Sequence, residues 1–330
     1  MHMPLIGELH SNSAVIRHPD NPILSAKDVP YNAALIFNAG VTKYQGRYVM
    51  VFRNDYGSLE KHELHGTNLG LATSDDGVRW TVEPEPIFQI DWPIRAVQRA
   101  YDPRLTVIEG RVAMCFALDT FHGVRVGIAL TDNFAHWDIM TVSAPDNRNA
   151  VLFPEKIGGK YVRLERPFPV YSRGGQERFD IWISDSPDLK YWGNNQLVLA
   201  VEDVNFANTK LGPGAPPIRT PKGWLTLFHA VDTDPARGKN GWEDQWQKRY
   251  TVGLMLLDLE NPARVIGRYA EPLMAPDAPY ERDEGFRTNV IFPGGMILEN
   301  DGEVKIYYGA ADTVECLATA HVEDLLRLVI

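Results

Sequence analysis

Residues 69–80 read Leu-Gly-Leu-Ala-Thr-Ser-Asp-Asp-Gly-Val-Arg-Trp, a β-rich run that passes through a polar turn to a tryptophan. Two further segments, 126–137 and 179–192, follow the same plan and also end in a tryptophan. Trp80, Trp137 and Trp192 lie 57 and 55 residues apart. This is the length of a four-stranded unit with its loops, and its recurrence indicates blades arranged radially around a channel, as in a β-propeller.

A second pattern recurs more often and sets the number of blades. It consists of two β-rich runs joined by a short glycine-containing turn, which is typical of a β-hairpin. Five copies occur, with turns at Gly46, Gly110, Gly159, Gly223 and Gly302. A β-sandwich with extra strands would not naturally contain five such hairpins. We therefore predict an all-β, five-bladed β-propeller that occupies residues 1–330 as one domain, with the N-terminal residues closing the ring and a short C-terminal helical segment.

The composition is that of a packed globular protein and argues against several partners. The 330 residues are 44% hydrophobic and 23% charged, with a formal net charge of -10. Nucleic acid and anionic membranes attract basic surfaces, so we expect neither as a partner. Cys115 and Cys316 are the only cysteines, and no metal-ligand spacing or nucleotide-binding glycine loop occurs. We expect no metal or cofactor and, without a signal peptide or membrane segment, a cytoplasmic protein.

Basic residues occur near the ends of the predicted inner hairpins, positions that converge at one end of a propeller channel. They are Arg148, Arg166, Lys210 and His229. Gathered together, four cations would need an anion to offset their repulsion, and arginine forks with a lysine charge suit phosphate. Each one taken alone could equally pair with a surface or interblade carboxylate.

Asp102 stands between an aromatic residue and Pro103, directly before a predicted strand. Such an aspartate often caps a turn or a strand entry. Alternatively, a partly desolvated pocket shaped by Tyr101 and Pro103 raises its pKa and makes it a general acid. Asp312 allows the same two interpretations. Further polar candidates near the channel entrance are Asn38, Arg53, Asp55 and Asn149.

Short phrases containing these residues follow one another in a fixed order from about residue 32 to residue 324. They include Phe37-Asn38-Ala39-Gly40, Phe52-Arg53-Asn54-Asp55, Tyr101-Asp102-Pro103-Arg104, Asn147-Arg148-Asn149, Glu165-Arg166-Pro167, Lys210-Leu211-Gly212-Pro213-Gly214, Phe228-His229 and Gly309-Ala310-Ala311-Asp312. The series resembles glycoside hydrolase family 130, the β-mannoside phosphorylases.

The resemblance implies a glycosyltransferase-type phosphorylase that cleaves β-mannosides with inversion and releases α-D-mannose 1-phosphate. It implies that Asp102 is the acid, acting through a sugar hydroxyl, and that inorganic phosphate is the co-substrate, which needs no protein base. The implied phosphate ligands are Arg148, Arg166, Lys210 and His229. The sugar would be bound by Asn38, Arg53, Asp55, Tyr101, Asn149 and Asp312. Members of the family also suggest a homo-oligomer.

The substrate and two other functions stay open at this stage. The segment Phe168 to Glu177 departs from the family's oligosaccharide-processing pattern, so mannosylglucose, β-1,4-mannooligosaccharides and β-1,2-mannobiose are all candidate substrates. One other function is a phosphate-independent hydrolase on the same fold, which would place three carboxylates in the funnel. The other is a non-catalytic, glycan-binding propeller.

Overall fold

Five antiparallel sheets make up the computed structural model, which describes residues 5–88, 97–237, 242 and 246–330. The prediction of a five-bladed β-propeller is confirmed. Blades 1 to 3 each contain four strands in chain order. Blade 1 has β2 Leu35–Tyr44, β3 Arg47–Ser58, β4 Glu63–Ser74 and β5 Thr81–Val82; blade 2 has β6 Val97–Ile108, β7 Arg111–Thr120, β8 Gly123–Thr131 and β9 Asp138–Val142; blade 3 has β10 Asn147–Leu152, β11 Tyr161–Pro167, β12 Ile181–Ser186 and β13 Gly193–Leu199.

The last two blades depart slightly from this plan. In blade 4 the innermost strand is split in two, and both pieces pair with the same neighbour. Blade 5 takes its fourth strand from the N-terminus, because Ile16 and Arg17 pair with the last strand of the chain and close the ring. Blade 4 has β14 Lys210–Pro213, β15 Ile218–Thr220, β16 Gly223–Thr233, β17 Lys248–Leu257 and β18 Val265–Arg268; blade 5 has β19 Ile291–Leu298, β20 Glu303–Ala310, β21 Val314–His321 and β1 Ile16–Arg17.

Helical structure is confined to short pieces among the described residues. Two 3-10 turns occur at Ala26–Asp28 and Val201–Asp203, and a single α-helical turn, α1, spans Pro279–Arg282. The predicted C-terminal helix is α2, Val322–Val329, which buries Leu325, Leu326 and Val329 in the core shared by blades 4 and 5. No helix in the described part of the chain has the length and apolarity to cross a membrane.

The predicted hairpin turns are present in every blade. Gly46 and Gly110 illustrate them, with φ of 81° and 80°. This left-handed backbone is open to glycine without a steric penalty, which explains why glycine punctuates each inner hairpin.

Each of the three tryptophan phrases forms a tight turn followed by a packing residue. The hydroxyl oxygens of Ser74 and Thr131 accept backbone N–H groups of their own turns at 2.8 and 2.9 Å. Trp80, Trp137 and Trp192 then pack into the hydrophobic clusters between their own blade and the preceding one. The phrase recurs in blades 1 to 3 because in each of them it supplies both a turn and an apolar contact to the neighbouring blade.

A bulge interrupts the innermost strand of blades 1, 2 and 3 at equivalent positions. The bulged residues Asn38, Asp102 and Asn149 have φ of 54°, 52° and 61°. Asparagine and aspartate adopt this left-handed conformation more readily than other non-glycine residues. Because a bulge redirects a side chain, all three residues face the same cavity.

Candidate active site

A cavity of about 310 Å³ collects side chains from all five blades. Nearly all of the predicted site residues line it, and His229 lies directly behind Arg166. The lining comprises Asn38, Arg53, Asp55, Leu64, Arg99, Tyr101, Asp102, Arg148, Asn149, Arg166, Lys210, Trp246, Lys248, Tyr250, Phe286, Arg287, Val290, Phe292 and Asp312. The ring has therefore gathered residues that are far apart in the sequence, as predicted.

Asp102 occupies a polar corner between blades 1 and 2. Its Oδ1 accepts a hydrogen bond from Asn38 Nδ2 at 3.0 Å and lies 3.3 Å from Arg53 Nη1. Arg53 also holds Asp55 in a bidentate pair at 2.9 and 2.7 Å. One guanidinium thus orients two carboxylates at this end of the cavity.

The pKa of Asp102 is shifted in the direction opposite to the one expected for a general acid. Burial acts to raise it, but the charges of Arg53 and Arg104, together with the Asn38 hydrogen bond, outweigh burial and lower the pKa below its ordinary value. Asp312 behaves oppositely: burial raises its pKa despite an ion pair with Arg287 at 3.0 Å. In this structure Asp102 is therefore a carboxylate held by cations.

Three cations that line the cavity lie around a pair of stacked phenylalanine rings. Phe168 and Phe179 stack with centroids 4.9 Å apart. Arg148 and Arg166 lie 5.4 and 5.3 Å from the centroid of Phe168, and Lys210 lies 5.4 Å from that of Phe179. The stacked rings thus form a common wall for the cation cluster, defined as Arg148, Arg166 and Lys210.

The hydrogen bonds of the cation cluster leave donors unused. Arg148 Nη1 donates to the Tyr101 hydroxyl at 3.2 Å, and Tyr101 donates to Asp119 at 2.7 Å. Among the described residues, however, Arg148 Nε and both Nε and Nη2 of Arg166 have no partner, although these atoms are buried. Buried unpaired donors are costly, so an anion with several oxygens would be stabilised here.

The pKa shifts of Arg166 and Lys210 also favour an anion at the cation cluster. Burial, with the nearby charge of Arg148, lowers the pKa of Arg166 to about 9. Burial, with the charges of Arg166 and Lys248, lowers the pKa of Lys210 to about 7. Both shifts report a positive field that an anionic ligand would relieve.

His229 is not the fourth cation that was expected. It is fully buried, and burial followed by the charge of Arg166 lowers its pKa well below the usual value, so the ring is neutral. Its Nε2 accepts from Arg166 Nη1 at 2.9 Å and lies 3.4 Å from Asn149 Nδ2. In this structure His229 orients Arg166 rather than adding a charge.

Several residues of the site escaped the sequence analysis. Phe168 and Phe179 flank the loop between β11 and β12, while Lys248, Tyr250 and Arg287 come from outer strands or loops. The predicted site residues lie at the ends of inner hairpins, and these positions do not. Their apolar and basic character was visible, but only the tertiary structure shows that Lys248, Tyr250 and Arg287 line the cavity and that the two phenylalanines contact the cation cluster. No group of three or more His, Cys, Asp or Glu side chains suited to a metal ion occurs within the described residues.

Comparison with known sequences agrees with this geometry. The family model described as beta-1,4-mannooligosaccharide phosphorylase, that of glycoside hydrolase family 130, matches residues 13–330. The chain belongs to glycoside hydrolase family 130. Asp102 and the cation cluster lie within the matched region of this family 130 protein.

Characterised relatives of the family 130 chain are similar over nearly their whole length. A 1,2-beta-oligomannan phosphorylase from Thermoanaerobacter sp. (strain X514) is 32% identical, with 94% of this chain and 98% of the relative aligned. A beta-1,4-mannooligosaccharide phosphorylase from Ruminococcus albus is 34% identical, with 95% and 90% aligned. Among solved structures, beta-1,2-mannobiose phosphorylase from Listeria innocua, in complex with beta-1,2-mannobiose, superimposes with a TM-score of 0.80 at 26% identity, covering 96% of this chain and 99% of that one.

Proposed function

We propose that this family 130 chain is an inverting β-mannoside phosphorylase that transfers a mannosyl group to inorganic phosphate and releases α-D-mannose 1-phosphate. Relatives that align over almost the full chain are named as phosphorylases of β-mannosyl substrates. The observation that carries the proposal is the cation cluster with its unpartnered buried donors, which shares one cavity with Asp102.

The proposed reaction needs an acid on one side of the sugar and a nucleophile on the other. Arg148, Arg166 and Lys210 would hold phosphate while one of its oxygens forms a bond to the anomeric carbon. The bond from that carbon to the glycosidic oxygen breaks, and the departing oxygen takes the proton of Asp102, relayed through a sugar hydroxyl. Asp102 ends the step as a carboxylate, and phosphate, already anionic, requires no protein base.

Phosphate binding also supplies a reason for Asp102 to become protonated. Arg148 is one of the cations that lower the pKa of Asp102. A phosphate anion at the cation cluster would offset that charge and so favour the neutral acid. Binding of the nucleophile would thereby prepare the general acid, and free enzyme would keep Asp102 ionised.

The hydrolase alternative is less consistent with the arrangement of carboxylates. Three carboxylates do line the cavity, those of Asp55, Asp102 and Asp312. All three, however, interact with Arg53, on the side proposed to bind the sugar. Among the described residues, the carboxylate that forms an ion pair with the cation cluster is that of Glu177. Lysine charges offset the effect of its partial burial and lower its pKa, which makes Glu177 a poor base for activating water.

A panel assay distinguishes the three functions. Purified protein is incubated with β-1,2-mannobiose, β-1,4-mannobiose and β-1,4-mannosylglucose, each with and without phosphate. Sugar phosphate is followed by phosphorus NMR, free sugars are followed by proton NMR, and saccharide binding is measured by calorimetry. We expect α-D-mannose 1-phosphate from at least one substrate and only when phosphate is present. Free mannose without phosphate would establish a hydrolase, and saccharide binding without turnover under either condition would establish a binding protein.

A further inference from the structure

Among the described residues, the carboxylate that forms an ion pair with the cation cluster comes from the loop of residues 168–177. Glu177 Oε2 lies 3.0 Å from Lys210 Nζ and 3.4 Å from Lys248 Nζ. Among the described residues, neither Arg148 nor Arg166 forms an ion pair. Glu177 is thus the carboxylate that pairs directly with the lysines of the site.

The loop that carries Glu177 is anchored, whereas the Glu177 side chain itself is half exposed to solvent. Arg173 and Arg178 both bind Glu202, at 2.9 and 3.2 Å, and Arg173 also reaches Asp180. The Glu177 side chain is 53% exposed, whereas that of Lys210 is only 6% exposed. Moving the carboxylate fully into water would therefore need only a small rearrangement, because the side chain is already half solvated.

We propose that Glu177 is an internal competitor of phosphate: it neutralises Lys210 and Lys248 in the free enzyme and must leave Lys210 when phosphate binds. Glu177 is a positioning residue in this account, since it acts through Lys210 and does not touch the reacting atoms. Its effect is to lower the affinity for phosphate. The inference rests on the proposed phosphate site.

The competition has a characteristic pH dependence. The groups that face Lys210 are Arg166 from β11, Lys248 from β17 and Glu177 from the loop. Burial and the two cations lower the pKa of Lys210 to about 7, and Glu177 works against them. Without Glu177, Lys210 would lose its proton at lower pH, and phosphate would then have to restore that proton. The gain in phosphate affinity on removing Glu177 should therefore be largest below pH 7 and should become smaller above pH 7.

The test is calorimetric titration of inorganic phosphate, without sugar, into wild type and Glu177→Gln at pH 6.0, 7.0 and 8.0 and low salt. We expect about threefold to tenfold tighter binding by the variant at pH 6.0, a smaller gain at pH 8.0, and loss of the gain as added salt screens the pair. In steady-state assays the variant should show a lower KM for phosphate with kcat nearly unchanged.

Two further variants keep the experiment interpretable. Glu155→Gln removes a carboxylate of equal exposure, 52%, that pairs with Arg219, and should leave phosphate affinity unchanged. Glu177→Asp keeps the charge on a shorter side chain and should fall between wild type and Glu177→Gln. The inference is wrong if wild type binds phosphate and Glu177→Gln binds it equally or more weakly at pH 6.0. If no protein in the series binds phosphate, the proposed function fails together with it.

Discussion

Asn38 and Asp102 occupy the same bulge in adjacent blades, and the amide of the first donates to the carboxylate of the second at 3.0 Å. Both residues are left-handed, with φ of 54° and 52°. The structure therefore gives Asp102 a place in a bulge instead of a turn cap, and that place is compatible with its catalytic interpretation. The backbone requires a residue that tolerates the left-handed region, and the same conformation directs its carboxyl group into the cavity.

Replacing Asp102 by asparagine should abolish turnover while leaving the fold intact. Asparagine tolerates the same φ but cannot donate a proton as an acid, so kcat/KM should fall about 10²- to 10⁴-fold. The measurement is phosphorolysis rate together with a thermal melt. Unchanged activity in a folded variant would remove Asp102 from the mechanism.

Asp312→Asn distinguishes the acid from a carboxylate that only binds the sugar. Asp312 has the raised pKa in the free enzyme, yet it is paired with Arg287. We expect a higher KM for the mannoside and a smaller loss of kcat than in Asp102→Asn, which paired steady-state measurements would show. If Asp312→Asn instead loses more kcat than Asp102→Asn, the roles assigned to the two aspartates must be exchanged.

Arg148→Lys should mainly weaken the use of phosphate. Lysine keeps the positive charge but loses the planar fork, and hydrogen bonds to a charged partner contribute about 1.5–3 kcal/mol each. The KM for phosphate should rise about tenfold or more, with a smaller change in the KM for the mannoside. Arg219→Lys, at an exposed pair with Glu155, serves as the control and should match wild type. A variant of Arg148 with wild-type phosphate dependence would contradict the anion site.

The neutral state of His229 predicts a loss of stability in acid. Its pKa in the folded protein is depressed well below 6.5, so the unfolded chain binds a proton that the native state does not. The resulting contribution to stability is present above pH 6.5 and is lost as the pH falls, at up to about 1.4 kcal/mol per pH unit. Urea unfolding between pH 7.5 and 5.0 should show a steeper decline for wild type than for His229→Gln. Parallel curves would mean that His229 titrates normally.

Ring closure can be tested through Arg17, which belongs to β1 and pairs with Glu281 at 2.7 Å. Glu281 is fully buried, so removing its partner leaves an uncompensated charge. We expect Arg17→Ala to lower the free energy of unfolding by about 3 kcal/mol. Arg47→Ala breaks an exposed pair with Asp75 and should stay within about 0.5 kcal/mol of wild type. Equal effects of the two variants would show that β1 does not hold the ring closed.

Much of the fold could be read from local patterns. The turn glycines, the alternating runs and the tryptophan phrases act within one blade, so they are visible in short stretches such as residues 69–80. The residues of the cavity could be nominated for a related reason, since equivalent blade positions converge in any propeller. Lys248 could not be nominated, because it reaches the cavity from an outer strand of its blade. Phe168 and Phe179 could not be nominated either, because they contact the cation cluster from the two ends of a loop.

By itself the sequence determined the blades, their number and the set of polar residues offered to the channel, because these depend on hydrogen-bonding and packing patterns within about 60 residues. Only the tertiary structure decided the charge states. His229 is neutral and Asp102 is ionised in the free site because their pKa values depend on burial and on cations contributed by other blades. Electrostatic energy depends on distance in space and on the surrounding dielectric, and neither follows from the order of residues along the chain.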